Sequence, residues 1–212
     1  MNFQSNVTTY VGEIILTSSR KMLCESVLLD KPPPFGSFVV VGDKQAYNNS
    51  DPFESATLTR DLIFGVVYHA STSSSETGRR PTAYGLEADQ LRRTQPQISE
   101  LLSTEFQVLI VGKVVSGTVL HRLPEKPPRL HDRVRNPEPN ELLAITKDRG
   151  YIEPLLGFVE CEDPDELMAS AIRIAAASTE SSGEYLSSCA RDLVTLLHDD
   201  YDRLRRIIRK LV

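Results

Sequence analysis

The sequence predicts an α+β protein: a small six-stranded, barrel-like β part followed by a C-terminal helical bundle. Three observations carry this. Two short apolar runs, Leu62–Ala70 and Phe106–Val115, are rich in Val and Ile, and each holds a single Gly. Buried strands of a closed or tightly bent sheet read this way. Prolines gather in KPPPFG (Lys31–Gly36) and again in LPEKPPRLHDRVRNPEP (Leu123–Pro139), where the chain loses amide donors and cannot pair as a central strand. After the second group, apolar residues recur at helical spacing with little turn chemistry between them.

The first strand is expected over Val11–Thr17 and the second over Met22–Leu29, with a turn at Thr17–Lys21. The three prolines that follow fix φ and make an extended connector of polyproline type. Ser37–Val41 is the third strand. Gly42–Arg60 is a polar loop of a length uncommon in compact domains, expected to be mobile or to carry contacts. Leu62–Ala70 is the fourth strand. In Ser71–Gly85 the serine run, Gly78 and Pro81 speak against regular structure. Leu86–Arg93 and Gln97–Leu102 have helical spacing, with Pro96 placed to start the second. Phe106–Val115 is the fifth strand, Ser116–Gly117 a tight turn and Thr118–Arg122 the sixth strand. Leu123–Pro139 is read as the exit from the barrel and a linker. Helices are expected over Asn140–Lys147, Pro164–Ala177, Glu184–His198 and Asp199–Val212. Asp163–Pro164 is a helix start and Ser182–Gly183 a break. The boundary falls between a β domain, 1–135, and a helical domain, 136–212. No internal repeat is evident.

Composition narrows the function. At 40% hydrophobic, the chain can bury a real core. A net charge of −5 argues against a protein that coats nucleic acid. Cys24, Cys161 and Cys189 are far apart, odd in number and without CxxC spacing, so neither a disulfide framework nor a zinc site is expected, and a reducing cytoplasm is the simplest home. No apolar run approaches the roughly 18 residues of a membrane helix. The first residues lack the basic and apolar regions of a signal peptide.

Catalytic signals are missing. His69, His121, His131 and His198 show no HxxxH or HExxH spacing. GxSxG is absent. Cys24 alternates with Met22 and Ser26 and reads as packed. Glu160, Glu162, Asp163, Asp165 and Glu166 surround a helix start, where they favour the positive end of its dipole. The chain is therefore read as a non-enzyme with no catalytic residue, cofactor or metal.

Basic residues mark three candidate contact regions. Arg79 and Arg80 sit in the Ser71–Gly85 loop and could present paired guanidinium groups. The stretch His121–Arg135 holds Arg122, Lys126, Arg129, Arg133 and Arg135 on a proline-extended chain. It could track a phosphate backbone, but without aromatic residues it lacks a base-stacking surface and reads better as a strap across a protein partner. The final helix surrounds an apolar stripe with Arg203, Arg205, Arg206, Arg209 and Lys210, and internal packing is its preferred reading. Arg79, Arg80, Arg122, Arg129, Arg133, Arg206 and Arg209 are the resulting partner-binding candidates.

The phrases PPPFG and SFVVV, then IFGVVYHASTSS, GRRPTAYG and QPQISELLSTEFQVLIVG, resemble the HAS-barrel family. This is the barrel shared by HerA-type DNA translocases and the α and β subunits of rotary ATP synthases. The resemblance spans about Val7–Arg135, and the later part is similar to the helical tail of stand-alone members. It implies a six-stranded collar that, in HerA-type rings, helps to dock a partner nuclease. The translocases carry a GxxxxGK[ST] phosphate loop after the barrel. Here the only Gly-Lys step is Gly112–Lys113, followed by Val114 inside a strand candidate. Triphosphate chemistry therefore does not carry over. A non-catalytic assembly or adaptor protein is expected, with a protein partner and compatible with a homo-oligomer. The alternative is a nucleic-acid accessory module acting through the basic loops.

Overall fold

A computed structural model describes residues 10–42, 62–76, 78 and 81–211. The long-loop reading over Gly42–Arg60 falls almost wholly outside these residues. The fold is α+β, with seven strands in one antiparallel sheet and seven helices among the described residues. The strands are β1 (Tyr10–Thr17), β2 (Lys21–Ser26), β3 (Phe38–Val41), β4 (Leu62–Ser74), β5 (Leu102–Val115), β6 (Thr118–Leu120) and β7 (Arg133–Arg135). Pairing runs β2–β1–β7–β3–β4–β5, and β5 then pairs back to β2. The pairings thus form a ring, with β6 attached to β5 outside it.

Two glycines explain how the long β4–β5 pair can bend. A Cβ on Gly65 would lie 2.5 Å from the Leu109 carbonyl oxygen and from a Val108 methyl. A Cβ on Gly112 would enter the Phe64 ring and lie 2.6 Å from the Leu120 carbonyl oxygen. Register shifts occur at Phe64/Gly65 and Val67/His69, so bulges flank Gly65 on both sides. Bulges bend a strand and increase its twist, as closure of the pairing ring requires.

The alternation of side chains separates two apolar clusters. Val39 and Val41 join Ile14, Met22, Cys24, Phe106 and Val108 in one. Phe38 and Val40 join Phe64, Val66, Leu109 and the helices in the other. The two faces of the same strand therefore feed different cores.

The helices are α1 (Ala88–Thr94), α2 (Pro96–Glu100), α3 (Pro139–Thr146), α4 (Ile152–Leu156), α5 (Pro164–Ala177), α6 (Ser182–Leu196) and α7 (Tyr201–Leu211). α5 starts as its sequence dictates: the Asp163 carboxylate accepts from the Glu166 amide at 2.9 Å, and Pro164 occupies the first turn. Its buried Leu167, Met168, Ala171, Ile172 and Ala175 form the centre of the second cluster, and α4, α6 and α7 pack around it. Aromatic edges lock helices to sheet, with Phe38 on Tyr151 at 5.1 Å and Tyr68 on Phe158 at 4.7 Å. Among the described residues no helix is long and apolar enough to cross a membrane.

Three expectations need correction. Thr118–Leu120 is a strand but does not complete the ring; Arg133–Arg135, placed in the expected linker Leu123–Pro139, does so by pairing with both β1 and β3. Three residues suffice because Val134 supplies one fully buried side chain between two neighbours that already have other partners. Ser71–Ser74 is strand, not irregular connector, since β5 extends to Leu102 and pairs with each of these polar residues. The short helix α4 was not anticipated; Pro154 within it obscures the helical pattern, while Ile152 and Leu155 are buried.

Candidate interaction surfaces

The stretch from His121 to Asp132 is a strap anchored along its length. The His121 ring packs edge-on against Phe64 at 5.4 Å, and its Nε2 lies 2.7 Å from Asp148 Oδ1. Gly150 makes room for it, since a Cβ there would lie 2.5 Å from the imidazole. Further along, Glu125 pairs with Lys113, whose side chain is 6% exposed. That ammonium holds the Glu125 carboxyl below its ordinary range. The strap ends beside β1: the His131 amide donates to the Ile14 carbonyl at 2.9 Å, and the Ile14 amide donates to the Asp132 carbonyl at 3.1 Å. His131 takes a left-handed conformation, φ 68°, and its Nδ1 lies 2.5 Å from Glu13 Oε1. The basic residues Arg122, Lys126 and Arg129 project from this fixed path into solvent.

Where the strap enters β7, the outer surface changes sign. Arg133 stands over the Tyr10 ring at 4.7 Å and is the direct cross-strand neighbour of Glu13. Glu13 is opposite Glu25, and Glu25 is opposite Glu105. Three carboxylates thus lie in line across adjacent strands, next to a guanidinium. Like charges directly opposite are destabilising, so this face gains nothing in stability from the row. Exposed Leu16 and half-buried Leu23 pair beside it.

The remaining candidates are distributed differently. Arg79 and Arg80 lie outside the described residues. Arg206 Nε donates to Asp165 Oδ2 at 2.9 Å, and Arg203 Nε donates to the other oxygen of the same carboxylate at 2.9 Å. Lys210 Nζ donates to Asp163 at 2.8 Å and to Glu166 at 3.1 Å. The basic residues of α7 therefore answer the acidic start of α5, and Leu204 and Ile207 are buried beneath them. Hydrogen bonding to Asp165 raises the pKa of Arg206, and hydrogen bonding to Asp163 and Glu166 raises that of Lys210. Arg209 is exposed on the same helix. Its position leaves it available to a partner, whereas Arg206 is already engaged.

Beyond the ring, β4 and β5 continue as a two-stranded arm that carries α1 and α2. The Thr72 and Thr104 hydroxyls meet across it at 2.8 Å, and Thr104 also accepts from the Asp30 amide at 2.8 Å. Neither helix has a buried residue, and Tyr84 and Leu86 are exposed before α1.

All three cysteines are buried; burial pushes the Cys24 thiol up to about 12 and the Cys189 thiol up to about 11. Among the described residues no His, Cys, Asp and Glu group is arranged to hold a metal ion. Sequence reasoning missed the Glu13–Glu25–Glu105 row, because its members are neighbours only through strand register. It also missed the buried Arg135–Glu141 pair at the sheet–helix joint, where Arg135 Nη1 and Nη2 donate to the carboxylate at 2.6 and 2.8 Å. Their spacing of six residues, across two prolines, gives no local signal. No protein-family model matches the chain, and no curated protein matches it either.

Proposed function

We propose that this chain is a non-catalytic assembly protein of HAS-barrel type, which presents a rigid β surface to a larger protein machine such as a ring ATPase or a nuclease. The observation that carries the reading is the ring of pairings β2–β1–β7–β3–β4–β5 closing on β2, with bulges and a glycine where the longest strands bend. The anchored strap supports it. Arg122 and Arg129 are exposed on a backbone fixed by His121, Glu125 and Asp132, so the segment that carries them needs little ordering on binding and only the side chains lose freedom. The acidic row beside Arg133 favours a protein partner over nucleic acid, since three aligned carboxylates would repel a phosphate backbone passing along the strap.

Cross-linked pull-down of the tagged chain from a lysate, read by mass spectrometry, tests this. The wild type is expected to recover a ring ATPase or nuclease, and the variant Arg122→Glu/Arg129→Glu, which changes two exposed strap residues and leaves Arg133 beside Glu13, to lose it while remaining folded. Recovery of no such protein, or recovery unchanged by the variant, rejects the proposal. Fluorescence anisotropy with single- and double-stranded DNA across a salt series separates the alternative: tight, salt-sensitive binding lost in the same variant would make nucleic acid the partner.

A further inference from the structure

The outer edge of the arm is the longest stretch of strand, among the described residues, that is paired on one side only. Up to Val66, β4 lies between β3 and β5, and Gly36 and Ser37 hold Val67 from the β3 side at 2.8 and 2.9 Å. From His69 to Ser74 its strand partner is β5 alone. Ala70, Ser71, Thr72 and Ser73 are all exposed. An open edge presents backbone N–H and C=O groups to solvent, and natural proteins usually guard it with Lys, Pro or an inward-facing charge. The segment HASTSS contains no Lys, no Pro and no carboxylate.

We propose that this edge seats a second copy of the chain, joined antiparallel through the same residues about a twofold axis. Antiparallel pairing of an edge with itself sets each outward donor against an acceptor. Self-pairing of Ala70–Ser74 brings together only small, uncharged side chains, so no like charges oppose one another. The segment itself carries no charge, and its one charged cross-strand neighbour, Glu105 opposite Ser71, lies on β5, on the far side of β4 from the contact, so a second copy meets no repulsion there and an acidic partner finds no countercharge. The contact is isologous and closes at two copies, leaving no free edge to propagate. It is also small compared with the roughly 1,200–2,000 Å² of a stable complex, so the dimer is a weak one, dissociating in roughly the micromolar range. This does not depend on the strap or on the proposed machine.

Analytical ultracentrifugation of the purified full chain tests it. The wild type is expected to shift from monomer to dimer as concentration rises to roughly 100 μM. The variant Ser71→Lys/Ser73→Lys places charges on the edge and is expected to weaken self-association by roughly tenfold or more, with circular dichroism and melting unchanged. Mixed with Ser71→Glu/Ser73→Glu, it should form the mixed dimer in preference to either homodimer. Amide exchange at Ala70–Ser74 in the wild type should slow as concentration rises, a readout that needs no variant. A wild type that stays monomeric throughout overturns the proposal. So does an oligomer of any size that the lysine pair leaves intact, or exchange at the edge that is independent of concentration.

Discussion

Arg135 stands where the pairing ring closes and the helical part begins. Its backbone pairs with Tyr10 on one side and Val40 on the other, while its guanidinium forks onto Glu141 in the first turn of α3. Both side chains are nearly inaccessible, at 5% and 6% exposure. The Glu141 carboxylate also accepts from the Glu138 amide at 2.7 Å, so a single bidentate pair fixes strand, connector and helix start together. Removing one charge from such a site leaves the other buried without its counter-ion, which costs about 3–5 kcal/mol. Arg135→Ala is expected to lower stability by that amount in urea unfolding, whereas Arg135→Met/Glu141→Leu should recover most of the loss. If the double substitution proved as damaging as the single one, the pair would be acting through shape and not charge. Lys113 differs: its buried ammonium meets Glu125, a side chain 78% exposed, so water already screens that pair.

At the scale of elements, α7 is held to α5 by an apolar stripe and by charge. Leu204 and Ile207 supply burial, and Asp163 and Glu166 receive Lys210. The Lys210 hydrogen bond lowers the Asp163 carboxyl below its ordinary range, and the Arg173 hydrogen bond does the same for Glu166. Because both folded-state values are depressed, this contribution is fully present above the ordinary carboxylate range and is lost as pH falls through the depressed values. Protection of the amides over Leu204–Leu211, taken relative to their intrinsic exchange rate at each pH, should therefore fall below about pH 4, before the β ring loosens, and Lys210→Ala should flatten that dependence. A uniform loss of protection across the protein would place the acid-sensitive groups elsewhere. α5 was legible in the sequence to its ends, because Asp163–Pro164 and an unbroken apolar period mark it locally. β7 was not, since Arg133–Arg135 is one buried Val between two Arg in a proline-rich stretch, and only β1 and β3 make it a strand. Ser71–Ser74 was obscured in the same way: its pairing is imposed by the length of β5, not by hydrophobic alternation. The basic residues were visible, but which of them are engaged, as Arg206 is, depends on contacts between distant helices.

The change in composition near 135/136 invites a division into two domains, yet the larger apolar cluster runs across it. Phe38, Phe64, Val66, Tyr68 and Leu109 from the sheet share that cluster with Tyr151, Leu155, Phe158, Leu167 and Ile172 from the helices. Phe38, Phe64, Val66 and Leu109 are at most 2% exposed in the whole chain. Without the helices they would form a continuous apolar face on β3, β4 and β5, larger than a soluble surface usually tolerates. The cluster on the other face of these strands, around Ile14, Met22 and Phe106, would remain, but it is the smaller of the two. A chain ending at Asn136 also loses Glu141 and so leaves Arg135 without its buried carboxylate. Such a fragment is expected to aggregate, or to bind a hydrophobic dye and unfold without cooperativity, while the full chain unfolds in a single transition. The measurement is a urea titration of both, followed by tyrosine fluorescence and by far-UV circular dichroism. A fragment that is soluble and unfolds cooperatively would show that the smaller cluster suffices and that the helices are an attachment. Coincident transitions in the full chain, with a fragment that fails to fold, would show that the helices complete the sheet. Any partner docking on the strap would then meet a surface whose rigidity depends on both parts.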